Sequence, residues 1–304
     1  MRCNWARPSR RDVRPSQRTC PASGSWLKNG PIARMSLSVR GGTTSGTMYQ
    51  VSANVDNEEG VLPTGGSYAR GLRANVGFKP AKGLTVALNQ SITNNRRIGF
   101  ADGNSANGAV LNISRGSGSN FKGPGCADAT VVCVLNQGLF SSDVTNTTNH
   151  FITGATLTYQ PIDALTNRLS VGFDYNDADV KYITPFGHLR VPLGQMFQTL
   201  WTRQFITADY ASTYRHQVAT NWSTSTSIGG QVFDSRIYST DLQSDQFAGP
   251  GDPTLVSGSQ RLINDVSQQR VINAGFFAQE VVGWRDILFV TLGVRVDGNS
   301  AFGK

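Results

Sequence analysis

The stretch Leu72-Arg73-Ala74-Asn75-Val76-Gly77-Phe78-Lys79, followed by Pro80-Ala81-Lys82-Gly83 and then Leu84-Thr85-Val86-Ala87-Leu88-Asn89-Gln90-Ser91-Ile92, decides the fold. Leu72, Ala74, Val76 and Phe78 alternate with Arg73, Asn75, Gly77 and Lys79, so one face of a strand is apolar and the other polar. A Pro/Gly turn reverses the chain, and Leu84, Val86, Leu88 and Ile92 repeat the alternation against Thr85, Asn89 and Ser91. The next strand is expected only near Phe151, after a loop of about fifty residues over 96–149, far beyond an ordinary connection. Period-two strands with short turns at one end and long loops at the other are the signature of a transmembrane β-barrel.

Working outward, the same rhythm continues. A first hairpin is expected from Met35–Arg40 and Met48–Val55, with Gly41-Gly42-Thr43-Thr44-Ser45-Gly46 between them. Asp56-Asn57-Glu58-Glu59-Gly60 reads as the turn at the opposite end. Beyond the long loop, strands are expected at Phe151–Tyr159, Leu169–Tyr175, Phe205–Tyr214, Trp222–Tyr238, Gly275–Val282 and Leu288–Val296. Residues 182–201 read as a middle-length loop, and another loop runs through Gly249-Pro250-Gly251-Asp252-Pro253 towards Arg270. That makes about ten strands, each long enough to cross a bilayer when tilted. Phe78, Tyr159, Tyr175, Tyr214, Trp222 and Trp284 lie near strand ends, where a girdle of amphipathic rings is expected at the membrane–water boundary. In hydrocarbon every backbone N–H and C=O must be paired, so strands cross only as part of a closed barrel. The expected inner face carries Arg73, Asn75, Lys79, Asn89, Gln231, Arg295 and Asp297, too polar to fill a narrow bore, which points to a slice of a wider barrel.

Composition fits this reading. The 304 residues include 33 Gly, are 16% charged and have a mean hydropathy of −0.26, the average produced when every second strand residue faces water. No run approaches the length of a transmembrane helix. The net charge of +8 is misleading. Eight basic residues against Asp12 put +7 within residues 1–34, and 20 bases against 19 acids leave +1 on the remainder. The folded part has no basic face for nucleic acid. Residues 1–34 read as a disordered or mistranslated basic leader, without the apolar stretch and cleavage site of a signal peptide, and residues 35–304 as the barrel portion. An export signal is then expected upstream.

Catalytic and metal motifs are missing from the sequence. His150, His188 and His216 are scattered without ligand spacing, and neither a nucleophile elbow nor a phosphate loop occurs. Glu58 and Glu59 are adjacent, so in a strand they face opposite ways and read as a solvated turn rather than an acid/base pair. No enzyme activity and no cofactor are expected. Cys126 and Cys133, inside the long loop, read as a small structural disulfide in an oxidising compartment, with a free or buried thiol pair as the alternative. Phe100, Phe121, Phe140, Tyr182, Phe186 and Trp201 are expected either to pack the loops or to stack on a ligand at the outer mouth.

Three stretches carry a family resemblance. Tyr49-Gln50-Val51-Ser52-Ala53-Asn54-Val55-Asp56-Asn57-Glu58-Glu59-Gly60 with Arg70-Gly71-Leu72-Arg73-Ala74-Asn75 resembles a barrel hairpin of the SusC/RagA-type TonB-dependent outer-membrane receptors, as does Leu169-Ser170-Val171-Gly172-Phe173-Asp174-Tyr175. Phe277-Ala278-Gln279-Glu280 through Val294-Arg295-Val296-Asp297-Gly298-Asn299-Ser300-Ala301-Phe302-Gly303-Lys304 looks like the segment ending in that family's R-x-D-G-S-S-x-F-G motif, with Asn299 in place of a usual Ser. The resemblance singles out Glu58, Glu59, Gly60, Arg295, Asp297, Gly298, Phe302 and Gly303 as family-motif barrel residues. It implies about ten strands of a plugged, 22-stranded-class barrel in the bacterial outer membrane. It further implies uptake of an oligosaccharide or peptide energised by the TonB complex, with a SusD-like surface lipoprotein as partner. A passive porin-like channel and a secreted β-sandwich or adhesin are the competing readings.

Overall fold

The computed structural model describes residues 28–61, 64–100, 142–188 and 191–302. These form one antiparallel sheet in which every strand pairs with its sequence neighbours: β1 (Ile32–Gly42), β2 (Met48–Glu59), β3 (Gly66–Ala81), β4 (Leu84–Gly99), β5 (Asp143–Ile162), β6 (Leu165–Thr184), β7 (Gln195–Ala219), β8 (Trp222–Phe247), β9 (Gly258–Trp284) and β10 (Leu288–Asn299). No second layer covers this sheet among the described residues, whereas a β-sandwich packs two sheets face to face. Only Ala178, Met196 and Phe247 are buried apolar side chains among the described residues. They lie at the long-loop end of β6–β8, where the loop 185–194 docks: Phe247 N–H donates to the Leu193 carbonyl at 2.8 Å, and its ring covers Gly194.

Short connections alternate with long ones, as the sequence predicts. β1–β2, β3–β4, β5–β6, β7–β8 and β9–β10 are joined by tight turns at one end. Two turns show their chemistry in the backbone. Gly83 sits at φ +73°, where an added Cβ would collide with the Gln160 carbonyl. Arg285 and Asp286 both adopt positive φ (51° and 54°) in the three-residue connection 285–287, where the Ile287 N–H donates to the Trp284 carbonyl at 3.0 Å.

Several strands run further than the alternation indicated. Ile32-Ala33-Arg34, assigned to the basic leader from sequence, belong to β1 and pair with Glu58, Asn57 and Asp56. Glu58 and Glu59 close β2 rather than forming a turn. β4 continues to Gly99 and β5 begins at Asp143, so both enter the stretch read as the long loop. Tyr182 belongs to β6, and Phe197 and Trp201 to β7, which shortens the expected 182–201 loop to 185–194. β9 starts at Gly258, twelve residues before Arg270. The physical reason is common to all of these. A tilted strand needs about nine to eleven residues to cross hydrocarbon, whereas β7, β8 and β9 have 25, 26 and 27. Their upper halves stand in water on both faces and need no apolar alternation.

The register gives the tilt. Leu84, the first residue of β4, shares a row with Tyr159, Asn167, Ser212, Ile228, Ala278 and Val294. Val294 lies six residues beyond Leu288, the first residue of β10, and six strand steps separate β4 from β10. One residue of stagger per strand, at about 3.3 Å rise and about 4.8 Å spacing, corresponds to strands tilted by roughly 35°. Transmembrane barrels are built at this inclination.

Candidate functional site: a two-faced barrel wall

Residues paired across strands share a face, so the register sorts every side chain. One face carries Val39, Val51, Val76, Leu88, Leu157, Val171, Ile228, Leu292 and Val296, together with their apolar row-mates. These side chains are open: Leu292 is 68% exposed and Val296 69%. A water-soluble monomer does not maintain so continuous an apolar surface. Tyr49, Phe78, Tyr159, Tyr214, Trp222 and Trp284 ring the short-turn end of this same face. Tyr175 stands near its far edge. This is the lipid side. Glu280 is an exception on it, beside Leu292, and its carboxylate accepts the Thr226 hydroxyl at 2.5 Å.

The opposite face is mainly polar, interrupted by Phe205, Phe233 and Phe277, and brings together six of the seven residues expected there: Arg73, Asn75, Asn89, Gln231, Arg295 and Asp297; Lys79 falls in the irregular register beside the turn. Its groups bond laterally. His150 meets Asp174 at 2.8 Å, and Arg34 pairs with Glu58. Arg295 donates to Asp297 through Nε at 2.9 Å, and its Nη2 lies 2.8 Å from Asp297 while donating to Gln231 at 3.2 Å. Between β6 and β10 this face forms a groove of about 390 Å³ whose polar lining includes Arg168, Asp209, Gln231 and Arg295.

The family-motif residues fall into two places. At the long-loop end of β2, Glu58 points to the polar face and Glu59 to the other, where Lys28 reaches it at 3.3 Å. The Gly60 N–H donates to the Gly65 carbonyl at 2.8 Å and so closes the following loop. At the end of β10, Arg295 and Asp297 pair on the polar face while Gly298 lies on the lipid-face register. Asn299 replaces Ser with a working substitute: its amide donates to Asn273, and its carbonyl accepts the Ala301 N–H at 2.7 Å. Phe302 is exposed in the turn beyond. Cys126, Cys133, Phe121, Phe140 and Gly303 lie outside the described residues.

Tyr182 and Phe197 pack edge-on at 6.3 Å and the Arg203 guanidinium lies 4.8 Å from the Trp201 ring, so these aromatics serve the wall's own packing. Sequence reading missed Gly275. It is the cross-strand partner of Asp297, and an added Cβ would overlap the Asp297 carboxylate and lie 3.0 Å from Arg295. The signal available was its position opposite the motif acid. Among the described residues, no group of three or more His, Cys, Asp or Glu side chains is arranged to hold a metal ion.

Comparison with known proteins places this wall. No family model and no curated protein matches the sequence. Solved structures do match over most of its length. The RagAB peptide importer in its "open-open" state is 15% identical and covers 91% of this chain and 32% of its own, at a TM-score of 0.75. P. aeruginosa FpvA bound to pyoverdine is 11% identical over 89% of this chain and 36% of its own, at 0.56. The ferric citrate transporter FecA is 9% identical over 89% and 35%, at 0.54. The fold is thus that of an outer-membrane β-barrel wall, and the chain spans about a third of the length of the structures it matches. The RagAB structures superpose on this chain at higher TM-scores, 0.68 to 0.75, than FpvA or FecA do.

Proposed function

We propose that this chain is part of the barrel of an importer that carries an oligosaccharide or a peptide across the bacterial outer membrane, energised by the TonB complex in the whole protein. The single observation that supports this best is the division of one tilted sheet into an apolar, lipid-suited face and a mainly polar face. A wall of that kind is built to enclose a wide aqueous or plugged lumen. The lumen-side groove at Arg168, Asp209, Gln231 and Arg295 offers paired donors and acceptors of the sort that hydroxyl- or amide-rich solutes engage. The RagAB structures, described as those of a peptide importer, make peptide the first substrate class to test. A surface lipoprotein covering the long-loop end is the corresponding partner.

The test is uptake by cells with and without the gene, using labelled peptide and oligosaccharide mixtures, with and without a protonophore. Loss of energy-dependent uptake of one class on deletion is the expected result. Uptake that depends on the gene but survives the protonophore would instead identify a passive channel.

A further inference from the structure

The upper edge of the lipid face carries one compact charged cluster. Asp234 of β8 stands between Ile206 of β7 and Ile272 of β9, and its side chain is only 12% exposed. Arg236 and Arg270, cross-strand partners one row further from the short turns, both grip it. Arg270 donates through Nε and Nη2 at 3.1 and 2.8 Å, and Arg236 through the same atoms at 3.4 and 2.9 Å. Two guanidiniums on one carboxylate leave a net positive charge. Each guanidinium also keeps donors free, because Arg carries five N–H groups. Both side chains are about half exposed, at 48% and 53%. Satisfying Asp234 needs one of them, and a second Arg at a hydrocarbon boundary is costly unless it has another use.

Directly below, on the same strands and the same face, the Phe276 ring lies over Gly230, 3.0 Å from where a Cβ would stand. Leu169, Ala208, Tyr210, Ile228 and Val232 complete an apolar groove of about 510 Å³, within the range of clefts that hold ligands. Val232 is four residues from Arg236, so groove and arginines follow each other along one strand towards the long-loop side. We propose that Arg236 and Arg270 bind the phosphate of a phosphorylated glycolipid of the outer leaflet, with one of its acyl chains lying in the groove at Gly230. Charge, height and the adjoining groove select this occupant: Arg forks suit phosphate oxygens, and only an anionic amphiphile satisfies both halves. The proposal rests on the membrane-wall reading.

The experiment is native mass spectrometry of the intact protein in detergent, titrated with a bisphosphorylated lipid A, with the same lipid lacking phosphate, and with inorganic phosphate. The neutral triple variant Asp234→Asn/Arg236→Gln/Arg270→Gln removes the arginines without stranding the acid. It should bind the phosphorylated lipid at least tenfold more weakly. Ala208→Phe, which enlarges a side chain lining the groove, should weaken binding several-fold, and Asp234→Asn alone should not weaken it. Equal binding of the dephosphorylated lipid, an unaffected triple variant, or displacement by inorganic phosphate at the lipid's own concentration would each overturn the proposal. Heat-modifiable gel migration reads the barrel separately: a wild-type protein that never shows it would fail as a membrane wall, whatever it binds.

Discussion

At the scale of the residue, the least conventional positions are the ones that break the two-faced rule or enable a motif. Glu280 lies among apolar row-mates on the lipid face with Thr226 as its hydrogen-bond partner. Placing a carboxyl there costs less than placing a basic group, but it still costs. Glu280→Leu should therefore raise stability in lipid by about 1 kcal/mol, measured by urea titration of the vesicle-inserted protein. Gly275 is the reverse case, a missing side chain that matters. Gly275→Ala would force Asp297 from its place beside Arg295 and should lower the urea midpoint of the vesicle-inserted protein as the pair is disrupted. Neither residue announces itself in sequence. The importance of Gly275 depends on which residue faces it across β9 and β10, and no short-range pattern carries that register.

At the scale of the element, the membrane-crossing parts of the strands were legible and their extensions were not. Leu288, Val290, Leu292, Val294 and Val296 alternate with polar or small residues because lipid lies on one side and lumen on the other. Asn146-Thr147-Thr148-Asn149 of β5 and Asp265 to Gln269 of β9 are just as fully paired, yet they read as loop because water meets both faces. The alternation ends where the hydrocarbon ends. The same logic predicts mutational cost by depth. A Lys at Leu88, midway along the lipid-facing run from Leu84 to Ile92, should cost about 2–4 kcal/mol, and one at Val76 a similar amount. At Val290, nearer the short-turn boundary and its aromatic girdle, the cost should be smaller. A Lys at Asn89, whose side chain faces the lumen, should cost under about 0.5 kcal/mol. Denaturant titration in vesicles ranks the four.

At the scale of the whole molecule, one structural fact organises the rest: ten strands, one layer and almost no buried apolar side chains among the described residues. A soluble domain needs a second layer to cover its apolar face. Here lipid takes that place, and the side chains of the polar face bond laterally along the wall. The stagger of one residue per strand sets the tilt near 35° and belongs to the same barrel geometry. The sequence rhythm was sufficient to identify the class, since hydrocarbon imposes period two wherever it touches the chain. Lumenal contacts such as His150 with Asp174, and the grip of two arginines on Asp234, depend on neighbours far away in sequence and became visible only with the register.

The most direct measurement of this central claim is a cysteine scan along β10, from Leu288 to Asp297, in the protein reconstituted into lipid vesicles. Each site carries an environment-sensitive label and is challenged with a lipid-dissolved and a water-dissolved quencher. A two-faced membrane wall predicts strict alternation. Labels at 288, 290, 292, 294 and 296 should be quenched from the lipid, and those at 289, 291, 293, 295 and 297 from water. Uniform quenching from water at all ten positions would contradict it.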